Sequence, residues 1–319
     1  MTGITRRGFV KASGALAAVP ALASVTARAQ PPAPDIGDLR AERDIVFGKG
    51  GDMDLLLDVY RPPEGVESKR MGIIHLFGGG FMGGNKGVGY IINDAKALGA
   101  RGYTSISANY RLASQAHWPA QIHDTKAAIR WTRANADRIG IDPDKIAVAG
   151  YSAGGMLSLM AAGTNGRAEF EGTGGNAGVS SDVTASIGVY PLASAEIATM
   201  LWAEGEATPE AIAAASPTTY ITPNFAPTIF IHGTADTTVP ITSSINFFNR
   251  LRELDVPTAL TAIQGAAHAF DNSALDAVEV MEQSVDLFLD RLFIGKEPYA
   301  TFGGGGRGGR GRGGRGGPR

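Results

Sequence analysis

Cysteine is absent from this 319-residue chain, and its absence removes several kinds of chemistry. Without thiols the protein has no disulfide scaffold, no thiolate metal site and no cysteine nucleophile. Histidine is scarce, with five residues, and none of them has the His-x-x-x-His spacing that is typical of a zinc site. The sequence therefore predicts no metal and no cofactor.

Two other common features are missing as well. The glycine-rich stretch 78–84 lacks the Gly-Lys-Ser/Thr ending of a P-loop, which argues against a nucleotide phosphate site. The apolar stretch after Lys11 is short and rich in alanine, so it does not predict a permanent membrane span.

Charge is distributed unevenly, although the whole chain carries a formal net charge of only −2. Residues 1–29 and 303–319 contain nine basic residues and no acidic ones. The intervening residues 30–302 therefore contain 20 basic and 31 acidic residues, a net charge of −11. An acidic body gives no support to nucleic acid as the main ligand, because phosphate-binding proteins need positive charge.

The N-terminal residues resemble a twin-arginine export signal. Arg6 and Arg7 precede an apolar stretch, and Ala27-Arg28-Ala29 resembles a small-residue cleavage site. We expect residues 1–29 to be a signal that exports the protein to the periplasm or the medium. The alternatives are a membrane anchor and a chance basic start.

The remaining chain divides into three parts. Residues 30–44 include Pro31-Pro32-Ala33-Pro34 and are expected to form a stiff linker. Residues 45–300 are expected to form one catalytic domain. Residues 301–319 are rich in glycine and arginine and predict a disordered tail, since nothing there offsets the entropy of ordering. An Arg-Gly-Gly segment that binds nucleic acid is the alternative interpretation of this tail.

Strand-like and helix-like patterns alternate through residues 45–300. Eight short apolar runs predict strands, and amphipathic stretches between most of them predict helices. Such alternation predicts an α/β fold with a mostly parallel eight-stranded sheet that is flanked by helices. Residues 191–227 lie between two of the strands and predict a small helical cap. The predicted strands are near residues 44–48, 55–61, 71–77, 103–109, 146–151, 183–190, 228–232 and 258–264.

The sequence Gly150-Tyr151-Ser152-Ala153-Gly154 is the strongest local pattern. An apolar run enters this Gly-x-Ser-x-Gly turn and a helical pattern leaves it, which is typical of a nucleophile elbow. Ser152 is then the predicted nucleophile. A serine hydroxyl needs a base, an acid that orients the base, and donors for the oxyanion.

Candidates for the base and the acid follow the last predicted strands. His268 lies in a small-residue loop after the final strand, and Asp236 follows the preceding strand. Ligands of parallel sheets bind at the carboxyl ends of strands, so both residues are well placed. The chain order Ser, Asp, His is that of an α/β-hydrolase. Asp271, close to His268, is the rival candidate for the acid.

These motifs together resemble the α/β-hydrolase superfamily over about residues 45–295. The similarity is greatest to the bacterial acetyl- and feruloyl-esterase branch, and more distant to hormone-sensitive-lipase-like enzymes. It implies an α/β-hydrolase fold and a serine esterase. The matching blocks are Leu57–Pro62, Asn109–Leu112, Pro119–Asp124, Gly150–Gly154, His232–Pro240 and Gly265–Phe270.

The resemblance also implies an oxyanion hole made by the backbone N–H groups of Gly79, Gly80 and Ala153. Phe77 departs from the family pattern, because the usual His-Gly-Gly-Gly loop begins with phenylalanine here. We expect the three glycines to serve, in a loop that is looser or differently braced. His75, two residues earlier, is expected to be a hydrogen-bonded histidine of the core.

The expected function is an exported serine carboxylic-ester hydrolase that works through an acyl-enzyme. Short acyl groups, of the acetyl type, are expected because the predicted cap is small, and acetylated xylan is a typical polysaccharide ester of this class. The alternatives are a lipid or small-molecule carboxylesterase, a serine peptidase of the same superfamily, and a non-catalytic protein that binds through its Gly/Arg tail.

Overall fold

A computed structural model describes residues 39–295 of the chain. The predicted signal at 1–29, the predicted tail at 301–319 and the predicted end of the domain at residue 300 lie outside the described residues. All statements below concern residues 39–295.

The described residues form one eight-stranded sheet in the order β1-β2-β4-β3-β5-β6-β7-β8. β1 and β2 are antiparallel to each other, β2 is antiparallel to β4, and β3 to β8 are all parallel. The predicted mostly parallel eight-stranded sheet is therefore confirmed. The strands are β1 Arg40–Gly50, β2 Met53–Arg61, β3 Gly72–Leu76, β4 Thr104–Ala108, β5 Ile146–Tyr151, β6 Ala185–Val189, β7 Thr228–Gly233 and β8 Thr258–Ile263.

Helices cover both faces of the sheet. The first and last helices, α1 and α7, contact each other on one face, and α2 contacts α4 on the other. The central strands β3 to β7 consist only of buried residues, as expected for parallel strands that are covered on both faces. The helices are α1 Gly89–Ala100, α2 Ala120–Ala134, α3 Ala136–Ile139, α4 Ala153–Gly163, α5 Pro209–Ala215, α6 Thr242–Glu253 and α7 Leu275–Leu289.

The carboxyl ends of the six parallel strands lie along one edge of the sheet, which we call the carboxyl edge. The loops after β3, β5, β7 and β8 all start there, and they carry the glycine stretch, Ser152, Asp236 and His268. Residues that are more than 100 positions apart in the sequence are brought together in this way.

One boundary differs from the sequence prediction. β1 begins at Arg40, so residues 40–44 of the predicted linker belong to the sheet. α7 ends at Leu289 and continues as a π-helical turn, Asp290–Ile294. The predicted small cap consists of α5 and two 3₁₀ turns, Thr199–Leu201 and Pro217–Tyr220. Within residues 39–295, no helix has the length and apolar character needed to span a membrane.

Candidate active site

Ser152 lies at the turn between β5 and α4, at the carboxyl edge. Its backbone has a φ of 52°, a strained conformation for a residue with a side chain, of the kind that costs about 1–3 kcal/mol and clusters at functional sites. A Cβ on Gly150 would collide with the carbonyl of Gly154. A Cβ on Gly154 would collide with the carbonyls of Leu76 and Phe77 at the end of β3. Both flanking glycines of the predicted elbow are therefore required by backbone contacts.

The structure brings Ser152, His268 and Asp236 into one hydrogen-bonded line. His268 Nδ1 lies 2.7 Å from Asp236 Oδ2, and His268 Nε2 lies 3.0 Å from Ser152 Oγ. An ionised carboxylate only accepts, so Nδ1 carries the proton and donates it to Asp236. Nε2 is then free to accept the hydroxyl proton of Ser152. This is the geometry that a serine nucleophile and its general base require.

The Asp236 side chain is fully buried and receives donors on both oxygens. Its Oδ1 accepts from the backbone N–H groups of Thr238 at 2.9 Å and Val239 at 2.8 Å. Its Oδ2 accepts from His268 and from His232 Nε2, at 3.1 Å. Donors to a carboxylate stabilise its ionised form, so this loop holds a fixed negative charge behind His268.

Asp271, the rival acid, is bonded elsewhere. Its Oδ1 accepts from the hydroxyl of Tyr190 at 2.5 Å, and burial raises the pKa of its carboxyl. Tyr190 also lies against the imidazole of His268, with a distance of 4.6 Å between the centroids of the two rings. Asp271 therefore bonds Tyr190, and Asp236 is the carboxylate that bonds His268.

The glycine stretch after β3 lies beside the elbow. Among the described residues, no protein acceptor is found for the backbone N–H groups of Gly79, Gly80 or Ala153. Gly79 and Gly80 have φ values of 117° and 61°, which glycine adopts without strain. Ala153 is the first residue of α4, so its N–H points out of the helix at the positive end of the helix dipole. These three groups are thus available to a ligand.

Tyrosines brace this loop where the family pattern has a histidine. The Phe77 ring stacks on Tyr110, with 4.2 Å between the ring centroids, and the Tyr110 hydroxyl donates to the Phe77 carbonyl at 2.8 Å. The N–H of Gly78 donates to the Tyr90 hydroxyl at 2.8 Å. The loop is therefore braced by two tyrosines, with Tyr110 at Phe77 and Tyr90 at Gly78.

The other polar candidates lie away from the serine. His75 is fully buried in β3, with Nε2 3.1 Å from Ser105 Oγ, and burial lowers its pKa to about 3, so it is neutral. It is a hydrogen-bonded histidine of the core, as predicted. Asp124 at the start of α2 accepts three hydrogen bonds from Arg111 and holds the loop after β4. Within residues 39–295, no group of His, Asp and Glu side chains forms a metal site.

Comparison with known proteins places the chain in a family. The BD-FAE family model matches residues 57–251, more than half of the sequence. The chain belongs to the BD-FAE family.

Two curated relatives and one solved structure illustrate the similarity of this BD-FAE protein to esterases. It is 30% identical to esterase LipC of Mycobacterium tuberculosis over 269 residues, which are 79% of this chain and 66% of LipC. It is 30% identical to esterase LipQ of the same organism over 264 residues, 78% of this chain and 62% of LipQ. The chain thus spans about two thirds or less of these relatives.

The native structure of esterase Est2 from Thermogutta terrifontis superposes with a TM-score of 0.69 at 27% identity. The match covers 82% of this chain and 95% of Est2. Together with the family match, this superposition confirms the resemblance to α/β-hydrolase esterases and the predicted α/β-hydrolase fold of the BD-FAE protein.

Sequence reasoning missed Tyr110 and Tyr190 in this BD-FAE protein, and it gave His232 only as a packed residue at the end of a strand. Tyr110 and Tyr190 brace the glycine loop and the imidazole, and His232 donates to Asp236. Tyr110 belongs to a motif that the sequence analysis singled out, Asn109–Leu112, so its position was available as a signal. The contact partner of each residue could not be predicted from the sequence, because each contact joins two different loops or strands.

Proposed function

We propose that this protein is a serine carboxylic-ester hydrolase that works through an acyl-enzyme. The observation that carries the proposal is the hydrogen-bonded line from Asp236 through His268 to Ser152, at a strained turn beside three unpaired backbone N–H groups. The similarity to esterases supports the reaction class.

The steps follow from the geometry. Ser152 Oγ attacks the ester carbonyl carbon while its proton passes to His268 Nε2. The N–H groups of Gly79, Gly80 and Ala153 stabilise the negative oxygen of the tetrahedral intermediate. The alcohol leaves with the proton from His268 and the acyl group stays on Ser152. Water then attacks the acyl-enzyme through the same base, which releases the acid and restores the serine.

For the substrate we propose short-chain acyl esters of the acetyl type, including esters of polysaccharides such as acetylated xylan. The small cap supports an open site for a bulky alcohol portion. Two further structures of the Thermogutta terrifontis esterase are described as butyrate-bound and propionate-bound, which are short acids, and we transfer that preference to this chain as part of the proposal.

We also propose that residues 1–29 export the protein, on the strength of the twin-arginine pattern around Arg6 and Arg7. The acidic charge of residues 30–302 is compatible with an uncharged ester substrate and does not favour nucleic acid as a partner.

Replacement of the nucleophile tests the reaction. We expect Ser152→Ala to lower p-nitrophenyl acetate hydrolysis by at least about 10⁴-fold, because triad members act as a unit. Ser284→Ala is the matched control, since the Ser284 hydroxyl bonds only Val280 of its own helix. Paraoxon, which phosphorylates the Thermogutta esterase, is expected to label the Ser152 peptide in mass spectrometry. Retained hydrolysis in the Ser152 variant contradicts the assignment.

A panel of acyl chain lengths on the same protein tests the substrate class. We expect acetate and butyrate esters to be turned over faster than esters with acyl chains of about eight or more carbons, because such chains are too long for a small acyl pocket. We also expect acetylated xylan to release acetate. Faster turnover of long-chain esters would favour a lipid esterase. Cleavage of peptide amides without ester hydrolysis would favour the peptidase alternative.

A further inference from the structure

A second histidine, His232, bonds to the same carboxylate as His268. It lies in β7, its side chain is fully buried, and its Nε2 is 3.1 Å from Asp236 Oδ2. The same Nε2 is 2.8 Å from the carbonyl oxygen of Val239, and Nδ1 is 2.8 Å from Ser244 Oγ in α6. Every polar atom of this imidazole therefore has a partner.

These partners determine which nitrogen of His232 carries the proton. A backbone carbonyl only accepts hydrogen bonds, so Nε2 must be protonated, and its proton is shared between Val239 O and Asp236 Oδ2. Nδ1 then accepts the hydroxyl proton of Ser244. Burial lowers the pKa of His232, which keeps the ring neutral at pH 7. His232 is thus a neutral donor with a fixed tautomer.

With this donor, Asp236 has four hydrogen bonds, two on each oxygen. A carboxylate has about four acceptor positions, so the side chain cannot rotate without losing a bond. The two imidazoles share the negative charge of Oδ2. Removal of the His232 donor would leave that oxygen with one partner and a stronger attraction for a proton on His268.

We propose that His232 is a positioning residue for the Asp236–His268 pair, which fixes the carboxylate and limits the charge that it presents to His268. The hydrogen-bond chain runs Ser244–His232–Asp236–His268–Ser152, with the carboxylate at its centre. This inference rests on the proposed hydrolase function. It assigns a role to His232, which the sequence pattern presents only as a packed residue at the end of a strand.

The surroundings of His268 allow a pH profile to report on this role. The other ionisable side chains that face His268 are Asp271 and Tyr190, which bond each other. From α6, the group that meets His232 is the uncharged Ser244, while Arg250, Arg252 and Glu253 lie in the last turn of that helix. Substitution of His232 leaves all of these groups in place.

The test compares two replacements of His232 in the full chain, with p-nitrophenyl acetate as the probe. We expect His232→Leu to lower kcat about 10- to 100-fold, with KM nearly unchanged, because a hydrogen bond to a charged group is lost. The acidic limb of the profile of kcat/KM against pH is expected to move to higher pH. His232→Gln keeps an N–H donor of similar reach, and we expect it to recover most of kcat and the wild-type limb.

Two serine variants complete the experiment. Ser244→Ala removes the hydroxyl that donates to Nδ1 of His232, and we expect a smaller shift of the limb in the same direction. Ser243→Ala is the control, because the Ser243 hydroxyl bonds Pro240 O and does not contact His232. If thermal melting shows that His232→Leu does not fold, the test uses the pH profiles of wild type, His232→Gln and Ser244→Ala.

Several results would overturn the inference. A folded His232→Leu variant that keeps the wild-type kcat and the wild-type acidic limb overturns it. A folded His232→Gln variant whose kcat is as low as that of His232→Leu also overturns it. If His232→Leu does not fold, a Ser244→Ala variant with an unchanged pH profile overturns the inference. A wild-type chain that hydrolyses no ester overturns the proposed function, whereas an active wild type with unaffected variants overturns the role of His232 alone.

Discussion

Lys126 is a fully buried lysine in α2, which packs against α4, the helix that begins directly after Ser152. Its Nζ donates to the carbonyl of Thr164 at 3.1 Å, at the carboxyl end of α4, where the helix dipole favours a cation. Burial nevertheless lowers the pKa of Lys126 to about 8. The hydrogen bond and the distant carboxylates of Glu171 and Asp182 do not fully offset the loss of water.

This lowered pKa predicts how stability depends on pH. An unfolded lysine has a pKa of about 10.4, so between about pH 8 and 10 the unfolded state binds more protons than the folded state. The free energy of unfolding of the wild type is therefore expected to rise with pH in this range, relative to Lys126→Met. Below pH 8 the difference between the two is expected to be constant.

Urea unfolding of both proteins at pH 7, 8.5 and 10 measures this difference. Methionine matches the length of lysine and carries no charge, so other titrating groups cancel in the comparison. Parallel stability curves for the two proteins from pH 7 to 10 would show that the buried lysine keeps its ordinary proton affinity.

At the scale of single residues, the sequence was sufficient for the main candidates and insufficient for their neighbours. Ser152, Asp236 and His268 follow strands, and the ends of parallel strands meet, so their proximity was predictable. Asp236 was the predicted acid and Asp271 its rival, and the bond between Asp271 and Tyr190, which separates the two in the structure, has no signal in the sequence. Periodicity tells which side chains are buried, but it does not tell which buried groups bond each other.

Among the elements, the loop after β3 departs from the family pattern at Phe77, and aromatic contacts fix its backbone. Tyr110 packs on Phe77 and donates to its carbonyl, and Phe81, also buried, accepts from the N–H of Ala113 at 2.8 Å. The loop is thus tied to the segment after β4 at two points. Its donors are oriented by these ties.

We expect Tyr110→Phe to lower kcat about tenfold with little change in KM, since the oxyanion donors remain but are held less firmly; complete loss of one donor costs about 10²–10³. Tyr103→Phe is the matched control, because Tyr103 is equally buried and its hydroxyl bonds Lys69 at the opposite end of β4. Steady-state kinetics on p-nitrophenyl acetate measure both. Equal effects of the two substitutions would mean that the tie from Tyr110 to Phe77 has no special role.

The end of a strand was predictable from the sequence where its residues are apolar, and it was not predictable where its residues are charged. The start of β1 was placed at Asp44 because Arg40 and Glu42 give no apolar alternation. The structure pairs this segment with β2, where Arg61 and Glu42 form an ion pair at 2.6 Å. An edge strand that is held by charged side chains has no periodic signal in the sequence.

For the molecule as a whole, the site and the core both lie within residues 39–295. We therefore expect a chain that lacks residues 1–38 and 303–319 to hydrolyse p-nitrophenyl acetate with kcat and KM within about twofold of the full chain, because it keeps every residue of the site and of the described core. Expressed in a host with twin-arginine export, the shortened chain is expected to stay in the cytoplasm while the full chain is exported.

Activity assays and cell fractionation check the two halves of this prediction. Loss of function on removal of the tail, together with retention in Ser152→Ala, would support the alternative in which the Gly/Arg tail is the working part. Export of the shortened chain would contradict the signal assigned to residues 1–29.

The missing side chain at Gly154 has a consequence for attempts to diversify this protein. Since any Cβ there meets the backbone of Leu76 and Phe77, no rotamer change relieves the clash, and position 150 is closed in the same way. A mutagenesis library that seeks new specificity therefore gains nothing from these two codons. Variation is better directed to the cap between β6 and β7, which carries neither the serine nor the glycine loop.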